Sequence, residues 1–222
     1  MSFFISNVEG ELGLTTAGYA ALVILLIAAL LGAAALTRHQ ETSERSPMST
    51  KKLVFCAMAV ALAMVTSMLK LYSFPFGGSV TLFSMLFICL TGYFYGPATG
   101  ILTGAAYGIL QLIIEPYIYF PLQVLVDYPL AFGALGLAGC FSNSRFGLIK
   151  GYLLGIVGRY FFAVLSGWIF FGEYAWEGWS ALPYSLAYNG AYIFTEGVIT
   201  VIILLIPAVS KSLTQIKVMA NN

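Results

Sequence analysis

Residues 148–171 read LIKGYLLGIVGRYFFAVLSGWIFF, a stretch that carries only two charges, Lys150 and Arg159. A helix needs about 20 predominantly apolar residues to cross the hydrocarbon core of a bilayer, so this stretch predicts a membrane-spanning helix. The whole chain has the same character, because 60% of its 222 residues are hydrophobic and 9% are charged. A soluble domain carries about 25% charged residues. The composition therefore excludes a soluble globule and predicts an all-α integral membrane protein.

Five more apolar stretches follow residue 51, and proline or glycine marks the joints between them. They predict helices at 52–72, 80–95, 97–115, 121–141 and 183–209. Because the loops are short, helices that are adjacent in sequence are predicted to pack antiparallel. Together with 148–171, these segments predict a six-helix membrane domain over residues 52–210, followed by a cytoplasmic tail at 211–222.

The N-terminal region contains a separate uncharged run, AGYAALVILLIAALLGAAAL at 17–36. Basic residues follow this run and none precedes it. The positive-inside rule therefore predicts an extra transmembrane helix at 17–37, an extracellular N-terminus at 1–16 and a cytoplasmic linker at 38–51. The missing basic n-region argues against a cleaved signal peptide. Met48 opens a second plausible start, and the sequence leaves open whether residues 1–47 are an appended helix or an artefact of start assignment.

The basic residues support this topology. Eight of the ten would then face the cytoplasm: Arg38, Arg45, Lys51, Lys52, Arg145, Lys150, Lys211 and Lys217. The outer loops would hold an acidic and aromatic set suited to receiving a cation: Glu115, Glu173, Glu177, Tyr117, Tyr119, Tyr174, Trp176 and Trp179. An ordinary interfacial aromatic belt would have the same composition, and this alternative stays open.

Several function classes are excluded by what the sequence lacks. It contains no GxxxxGK[ST] loop and no HExxH, its one histidine (His39) lies in a polar stretch, and its three cysteines are isolated. We therefore expect no metal, no cofactor and no catalytic residues. A net charge of +1 argues against a nucleic-acid partner. Energy from ATP would have to come from a partner subunit.

Three charged residues fall inside the predicted spans and away from their ends: Asp127, Arg159 and Glu196. A charge at the bilayer centre costs at least about 2.5–3.5 kcal/mol, so such residues are usually paired or functional. Asp127 and Arg159 are predicted to belong to a binding site, with a structural ion pair as the alternative. Glu196 is predicted to serve in packing or in an interhelical hydrogen bond.

The spacing of residues in the last two predicted helices suggests the wall of a pocket. A stripe at four-residue intervals begins with a charge, continues with small residues and ends with a ring: Arg159, Ala163, Gly167 and Phe171, with Tyr160 beside it. Tyr184 and Asn189 offer hydrogen-bonding groups on the next helix. Aromatic faces together with a carboxylate favour the binding of an organic cation.

Small residues also recur at four-residue spacing, as Ala57/Ala61 and Ala59/Ala63 in the first helix and as Gly100/Gly104/Gly108 in the third. Such stripes let helices approach closely, either within one chain or between subunits.

The predicted pocket residues and the glycine stripe lie in three longer segments: GGSVTLFSMLFICLTGYFYGPATGILTGAAYGILQLI, PLQVLVDYPLAFGALGLAG and GRYFFAVLSGWIFFGEYAWEGWSALPYSLAYNG. In their order and spacing they resemble the thiamine-specific S component (ThiT type) of energy-coupling factor (ECF) vitamin transporters. The resemblance covers about residues 51–207. It implies an S-component bundle in a bacterial plasma membrane, with a vitamin pocket open to the outside and no enzymatic activity.

The resemblance also implies a set of ligand-binding positions: Asp127, Tyr128, Arg159, Tyr160, Ala163, Gly167, Phe171, Tyr184 and Asn189. Two of them depart from the family, which commonly has histidine at the position of Ala163 and tryptophan at that of Phe171. Trp168 or Trp179 could replace the missing indole. The first outer loop, SFPFGG, which would cap the pocket, carries no tryptophan. Tyr72 or Phe74 would therefore serve as the lid of the pocket.

The partners implied by the resemblance are a membrane T component and two cytoplasmic ATPases. In this family the alanine pattern of the first helix contacts the T component, which assigns that contact to Ala57, Ala59, Ala61 and Ala63. Three alternatives remain: an S component for a thiamine precursor or another vitamin, an intramembrane enzyme, and a stand-alone secondary carrier. The lack of a Ser/His or paired-Asp site argues against the enzyme. The lack of an evident repeat argues against the carrier.

Overall fold

The computed structural model describes residues 5–8, 11–14 and 49–221. The chain divides into two compact units at Pro47 and Met48. In the first unit, strands β1 (Ile5–Val8) and β2 (Glu11–Leu14) form an antiparallel pair.

The helix predicted at 17–37 and most of the linker predicted at 38–51 lie outside the described residues. Like the outward placement of residues 1–16, they stay predictions.

The second unit is helical apart from one small hairpin. Its helices are α1 (Thr50–Ser67), α2 (Ser84–Tyr95), α3 (Pro97–Ile114), α4 (Pro121–Phe141), α5 (Gly147–Phe170), α6 (Ala181–Leu204) and α7 (Pro207–Asn221). All except α2 and α7 are long and apolar enough to cross a membrane, which confirms the predicted all-α membrane fold.

The first two predicted helices are shorter than expected. The hairpin formed by β3 (Lys70–Ser73) and β4 (Ser79–Thr81) occupies the end of the predicted helix 52–72 and the start of the predicted helix 80–95. As a result α2 has 12 residues, about 18 Å of helix, which is too short to span alone. It is nevertheless buried at ten of these positions, so it forms the centre of the bundle.

Glu196 of α6 holds the N-terminus of α2. Its side chain is 2% exposed and accepts hydrogen bonds from the backbone N–H groups of Thr81 (3.3 Å) and Met85 (3.1 Å). It also accepts from the hydroxyls of Thr81 (2.6 Å) and Ser84 (3.3 Å). Because the first N–H groups of a helix lack intrahelical partners and carry partial positive charge, a buried carboxylate is stabilised there. The predicted interhelical hydrogen bond of Glu196 is confirmed.

Glycine faces join α3 to α4 backbone to backbone. A Cβ at Gly104 would overlap the carbonyl of Phe132, and one at Gly108 would overlap the carbonyl of Tyr128. On α4, a Cβ at Gly136 would overlap the backbone at Gly100 and Ile101. The glycine stripe of α3 therefore packs within the chain. Of the two alternatives that the sequence left open for this stripe, contact within one chain is the one observed.

Helix α4 changes its winding along its length. Residues 126–130 form a π-helical turn that contains Pro129, and residues 134–141 are wound as a 3₁₀-helix. Proline has no N–H and its ring clashes with the carbonyl four residues earlier, which accounts for the wider turn. This turn carries Asp127 and Tyr128, so the irregularity lies where the sequence places a site.

The C-terminal segment also differs from the prediction. The last spanning helix, predicted to reach residue 209, ends at Leu204, and α7 begins at Pro207. The residue before a proline is disfavoured in the α conformation, which explains the break. Residues 211–221, predicted as part of a tail, belong to α7, where Ala220 is buried and the Asn221 side chain donates to the Phe94 carbonyl (3.2 Å).

Candidate functional site

A cavity of about 440 Å³ lies between the hairpin, the loop at 115–120 and helices α4, α5 and α6. Its lining contains eight of the nine predicted site residues: Asp127, Tyr128, Arg159, Ala163, Gly167, Phe171, Tyr184 and Asn189. Residues from three separate helices therefore meet in one cavity, although they are up to 62 positions apart in the sequence.

Tyr160 is the predicted residue that does not line the cavity. Its ring packs against Phe194, with ring centroids 4.7 Å apart, and its hydroxyl donates to the Leu186 carbonyl at 3.1 Å. Consecutive residues on a helix point about 100° apart, so the neighbour of Arg159 faces another side of α5. The structure thus assigns Tyr160 to the contact between α5 and α6.

Asp127 is held by Gln123, one helical turn earlier. The Gln123 amide donates to Asp127 Oδ2 (2.6 Å) and to the Tyr117 carbonyl (3.1 Å), while its oxygen accepts from the Tyr119 N–H (3.0 Å). Gln123 is 1% exposed. The carboxylate therefore has a fixed orientation, and its Oδ1 atom takes no part in this network.

Arg159 does not form the ion pair with Asp127 that the sequence left open as an alternative to a binding role. Across residues 49–221 the one ion pair is Lys70 with Glu115, at 2.8 Å. The Arg159 guanidinium instead lies over the Phe132 ring, 4.5 Å from its centroid. Within this described part, the cavity wall thus presents a carboxylate and a guanidinium that are not joined in an ion pair.

Asn189 uses most of its hydrogen-bonding groups inside the protein. Its amide nitrogen donates to the carbonyls of Ala163 (3.2 Å) and Ser185 (3.0 Å), and its oxygen accepts from the Tyr192 hydroxyl (2.7 Å). Gly167 permits this arrangement, because a Cβ there would overlap the Ser185 hydroxyl. The polar contact that Asn189 can offer a ligand is the remaining lone pair of its oxygen.

Phe171 belongs to an aromatic cluster at the outer end of the cavity. Its ring lies 5.8 Å from Tyr117, 5.6 Å from Tyr119 and 6.1 Å from Tyr174, all in tilted arrangements. Trp168 and Trp179 are about half exposed and neither lines the cavity. The expectation that one of them replaces the missing indole is wrong, and the neighbouring tyrosines supply the aromatic surface.

The first outer loop faces the cavity through Phe76. Its ring lies 4.5 Å from Tyr174, and its backbone has a left-handed φ of 64°. Tyr72 is 60% exposed, and Phe74 packs on Tyr188, so neither lines the cavity as the predicted lid would. The left-handed turn directs Phe76 inwards in their place.

Two tyrosines attach the outer loops to the helices. The Tyr128 hydroxyl donates to the Glu115 carbonyl (3.0 Å) and accepts from the Tyr117 N–H (2.9 Å). The Tyr188 hydroxyl donates to the Pro75 carbonyl and accepts from the Gly78 N–H (3.0 Å). Each hydroxyl thus bonds two backbone groups of one loop, which fixes the rim of the cavity.

Tyr119 and Tyr117 on the rim remain neutral donors at physiological pH. The hydrogen bond from Tyr119 to the Glu173 carboxylate raises the pKa of that phenol. Partial burial is the main cause that raises the pKa of Tyr117. Glu173 bonds Tyr119 and Glu115 pairs with Lys70, whereas Asp127 lines the cavity with one oxygen that the Gln123 network leaves free.

The sequence did not identify several polar residues of the lining. They are Gln111, Gln123, Tyr107, Ser166, Tyr188 and Tyr192. Gln123 could have been found, because it precedes Asp127 by four residues and therefore shares its helix face. The others depend on how the helices rotate against one another.

The four alanines of α1 are not equivalent. Ala57 and Ala61 are exposed and line an apolar groove of about 440 Å³ between α1 and α3. Ala59 is half-buried, and Ala63 has no exposed surface, because it packs into the core where Tyr107 donates to its carbonyl (3.4 Å). Ala63 is therefore removed from the predicted surface for the T component.

Comparisons with known proteins identify the family of this chain. Residues 53–216 match the family model described as Thiamine transporter protein (Thia_YuaJ). The thiamine transporter ThiT of Bacillus subtilis (strain 168) is 33% identical over 165 residues, which cover 68% of this chain and 84% of that protein. ThiT of Lacticaseibacillus paracasei is 31% identical over 117 residues, or 45% of this chain and 58% of that protein.

A solved structure of ThiT from Listeria monocytogenes has the same fold. It superposes with a TM-score of 0.61 at 28% identity and covers 73% of this chain and 96% of the other. With five helices among residues 49–221 able to cross a bilayer, the chain is a multi-pass protein of the bacterial plasma membrane with a transport role. The predicted resemblance is confirmed, and the chain belongs to the thiamine transporter protein family.

Proposed function

We propose that the cavity binds thiamine from outside the cell and that the chain is the S component that presents it for uptake. The observation that supports this most directly is the Asp127 carboxylate, fixed by Gln123 in an aromatic-lined cavity with one oxygen free. A half-buried carboxylate that forms no ion pair within residues 49–221 carries a desolvation cost, and a cationic ligand would offset that cost.

The dimensions and chemistry of the cavity suit such a ligand. Its volume of about 440 Å³ falls within the range of about 300–1,000 Å³ usual for small-molecule pockets. Thiamine carries a permanently charged thiazolium ring and an aminopyrimidine with both donors and acceptors. Asp127 can accept from the amino group and attract the cation, while Phe171, Tyr117 and Tyr174 present ring faces for cation–π contact.

Calorimetry with the purified full chain would test the proposal. Thiamine should bind saturably, and a pyrimidine precursor without the thiazolium ring should bind more weakly, because it cannot use the cation–π contacts. Mass spectrometry of protein purified without added vitamin should identify the same ligand. Tighter binding of the precursor would contradict thiamine as the substrate and would favour a precursor transporter.

Transport would need partner subunits that supply energy. The sequence has no ATP-binding loop, so we propose a membrane T component and two cytoplasmic ATPases as partners. The groove lined by Ala57 and Ala61 is the surface proposed for the T component, because small residues let another helix approach closely.

Ala61→Trp is expected to abolish uptake while thiamine affinity stays within about twofold of wild type. The indole would fill the groove between α1 and α3, and Ala61 does not line the cavity. Uptake in cells that contain the partner subunits would be compared with calorimetry on the purified variant. Met58→Trp is the matched control, since Met58 is 46% exposed on the same helix but lies outside the groove. Equal loss of uptake and binding in Ala61→Trp would show that the alanine packs internally.

A further inference from the structure

Ser166 of α5 lies in the cavity lining next to Gly167 and is 1% exposed. Its hydroxyl makes no hydrogen bond of normal geometry among residues 49–221, although it lies beside the Asp127 carboxylate. A buried hydroxyl without a partner costs about 1–3 kcal/mol, so such groups are rare in folded proteins. The position of Ser166 in the wall of a ligand cavity suggests that its partner is the ligand.

Other buried serines and tyrosines sharpen this interpretation. Ser185 is also 1% exposed and lines the same cavity, but its hydroxyl donates to the Val164 carbonyl at 2.8 Å. In the described part of the chain, the other buried side-chain group without a partner is the Tyr152 hydroxyl, which lies away from the cavity. Ser166 is thus set apart by being buried, unbonded and in the wall at the same time.

We propose that the Ser166 hydroxyl donates a hydrogen bond to an aminopyrimidine ring nitrogen of the bound ligand. This inference rests on the proposed thiamine function and adds a contact to it. A carboxylate only accepts hydrogen bonds, so Asp127 can serve the amino group of the pyrimidine but not its ring nitrogens. Those nitrogens need donors, and the Gln123 amide is already bonded to Asp127 and Tyr117.

A rival role for Ser166 is to donate to Asp127 and so to act on the ligand only through that carboxylate. The two roles differ in their dependence on ligand chemistry. A direct bond to a ring nitrogen is lost when that nitrogen is replaced by C–H, whereas an effect through Asp127 persists.

The binding test uses wild type and Ser166→Ala, each titrated by calorimetry with thiamine and with the two pyridine analogues that replace one ring nitrogen by C–H. Ser166→Ala should weaken thiamine binding by about threefold to tenfold, the usual net effect of one hydrogen bond. For one of the two analogues, the same substitution should have no further effect. Unchanged thiamine affinity, or an equal loss for thiamine and both analogues, would overturn the inference.

The stability test needs no ligand. Ser166→Ala replaces an unbonded buried hydroxyl by hydrogen, so the Tm of the ligand-free protein should stay equal or rise. Ser185→Ala should lower the Tm, because it removes the hydrogen bond to the Val164 carbonyl. A clear fall in the Tm of Ser166→Ala would show a structural role and overturn the inference. Wild-type protein that binds no thiamine would contradict the proposed function and this inference together. Normal wild-type binding with unchanged Ser166→Ala affinity would overturn the inference alone.

Discussion

Asp127→Asn is expected to weaken thiamine binding by about 10- to 150-fold, the effect of losing one charge-assisted contact. The asparagine oxygen can still accept from Gln123, so the local structure should persist while the negative charge disappears. The buried cation would then face Arg159 without a neighbouring counter-charge. Calorimetry with purified variants would measure the loss.

Two comparisons make this result specific. Phe171→Leu removes a ring face worth about 0.5–2 kcal/mol, so it should cost less than Asp127→Asn, and Phe171→Trp should tighten binding. Glu177→Gln is the matched charge control, because Glu177 is exposed and lies outside the cavity. A larger loss in Phe171→Leu than in Asp127→Asn would contradict the role given to the carboxylate.

Gly136→Ala is expected to reduce the free energy of unfolding by about 1–3 kcal/mol or more. The new methyl group would overlap the backbone of Gly100 and Ile101, and backbone cannot rotate away as a side chain can. Thermal unfolding in detergent would show the change as a lower Tm.

Gly133→Ala provides the control three residues away on α4. A Cβ there would lie 3.5 Å from the Ile101 carbonyl oxygen, an ordinary van der Waals distance. This variant should keep the wild-type Tm or exceed it slightly, because alanine is the better helix former. Similar destabilisation by both substitutions would contradict the close contact between α3 and α4.

The stripe of α5 was predictable because α5 is a regular helix. Arg159, Ala163, Gly167 and Phe171 recur every four residues, and all of them line the cavity. Ser166 was not predictable, because what distinguishes it is the lack of a hydrogen bond to its hydroxyl within residues 49–221. Only the packing of α5 against the other helices determines whether such a bond forms. Tyr160 directly follows Arg159, so it lies about 100° away from this stripe and packs against Phe194 of α6 instead.

The outer loops were the least predictable part of the site. Residues 79–81 form a strand inside an apolar run, and such short runs fit a helix or a strand equally well. Phe76 faces the cavity because of a left-handed backbone turn followed by Gly77, a conformation that is rare for phenylalanine. Nothing in SFPFGG distinguishes Phe76 from Phe74 without the helices that surround them.

The attachment of the hairpin loop to α6 by Tyr188 has a kinetic consequence. Two hydrogen bonds tie the Tyr188 hydroxyl to Pro75 and Gly78, each worth about 0.5–1.5 kcal/mol net, and Phe74 and Phe76 add ring contacts with Tyr188 and Tyr174. Local opening of this loop therefore requires far less energy than global unfolding, and it can occur while every spanning helix stays in place. Since Tyr188 also lines the cavity, a bound molecule would change the lifetime of the closed loop. Binding of a ligand in the cavity would thus slow the amide hydrogen exchange of the hairpin loop at the outer surface.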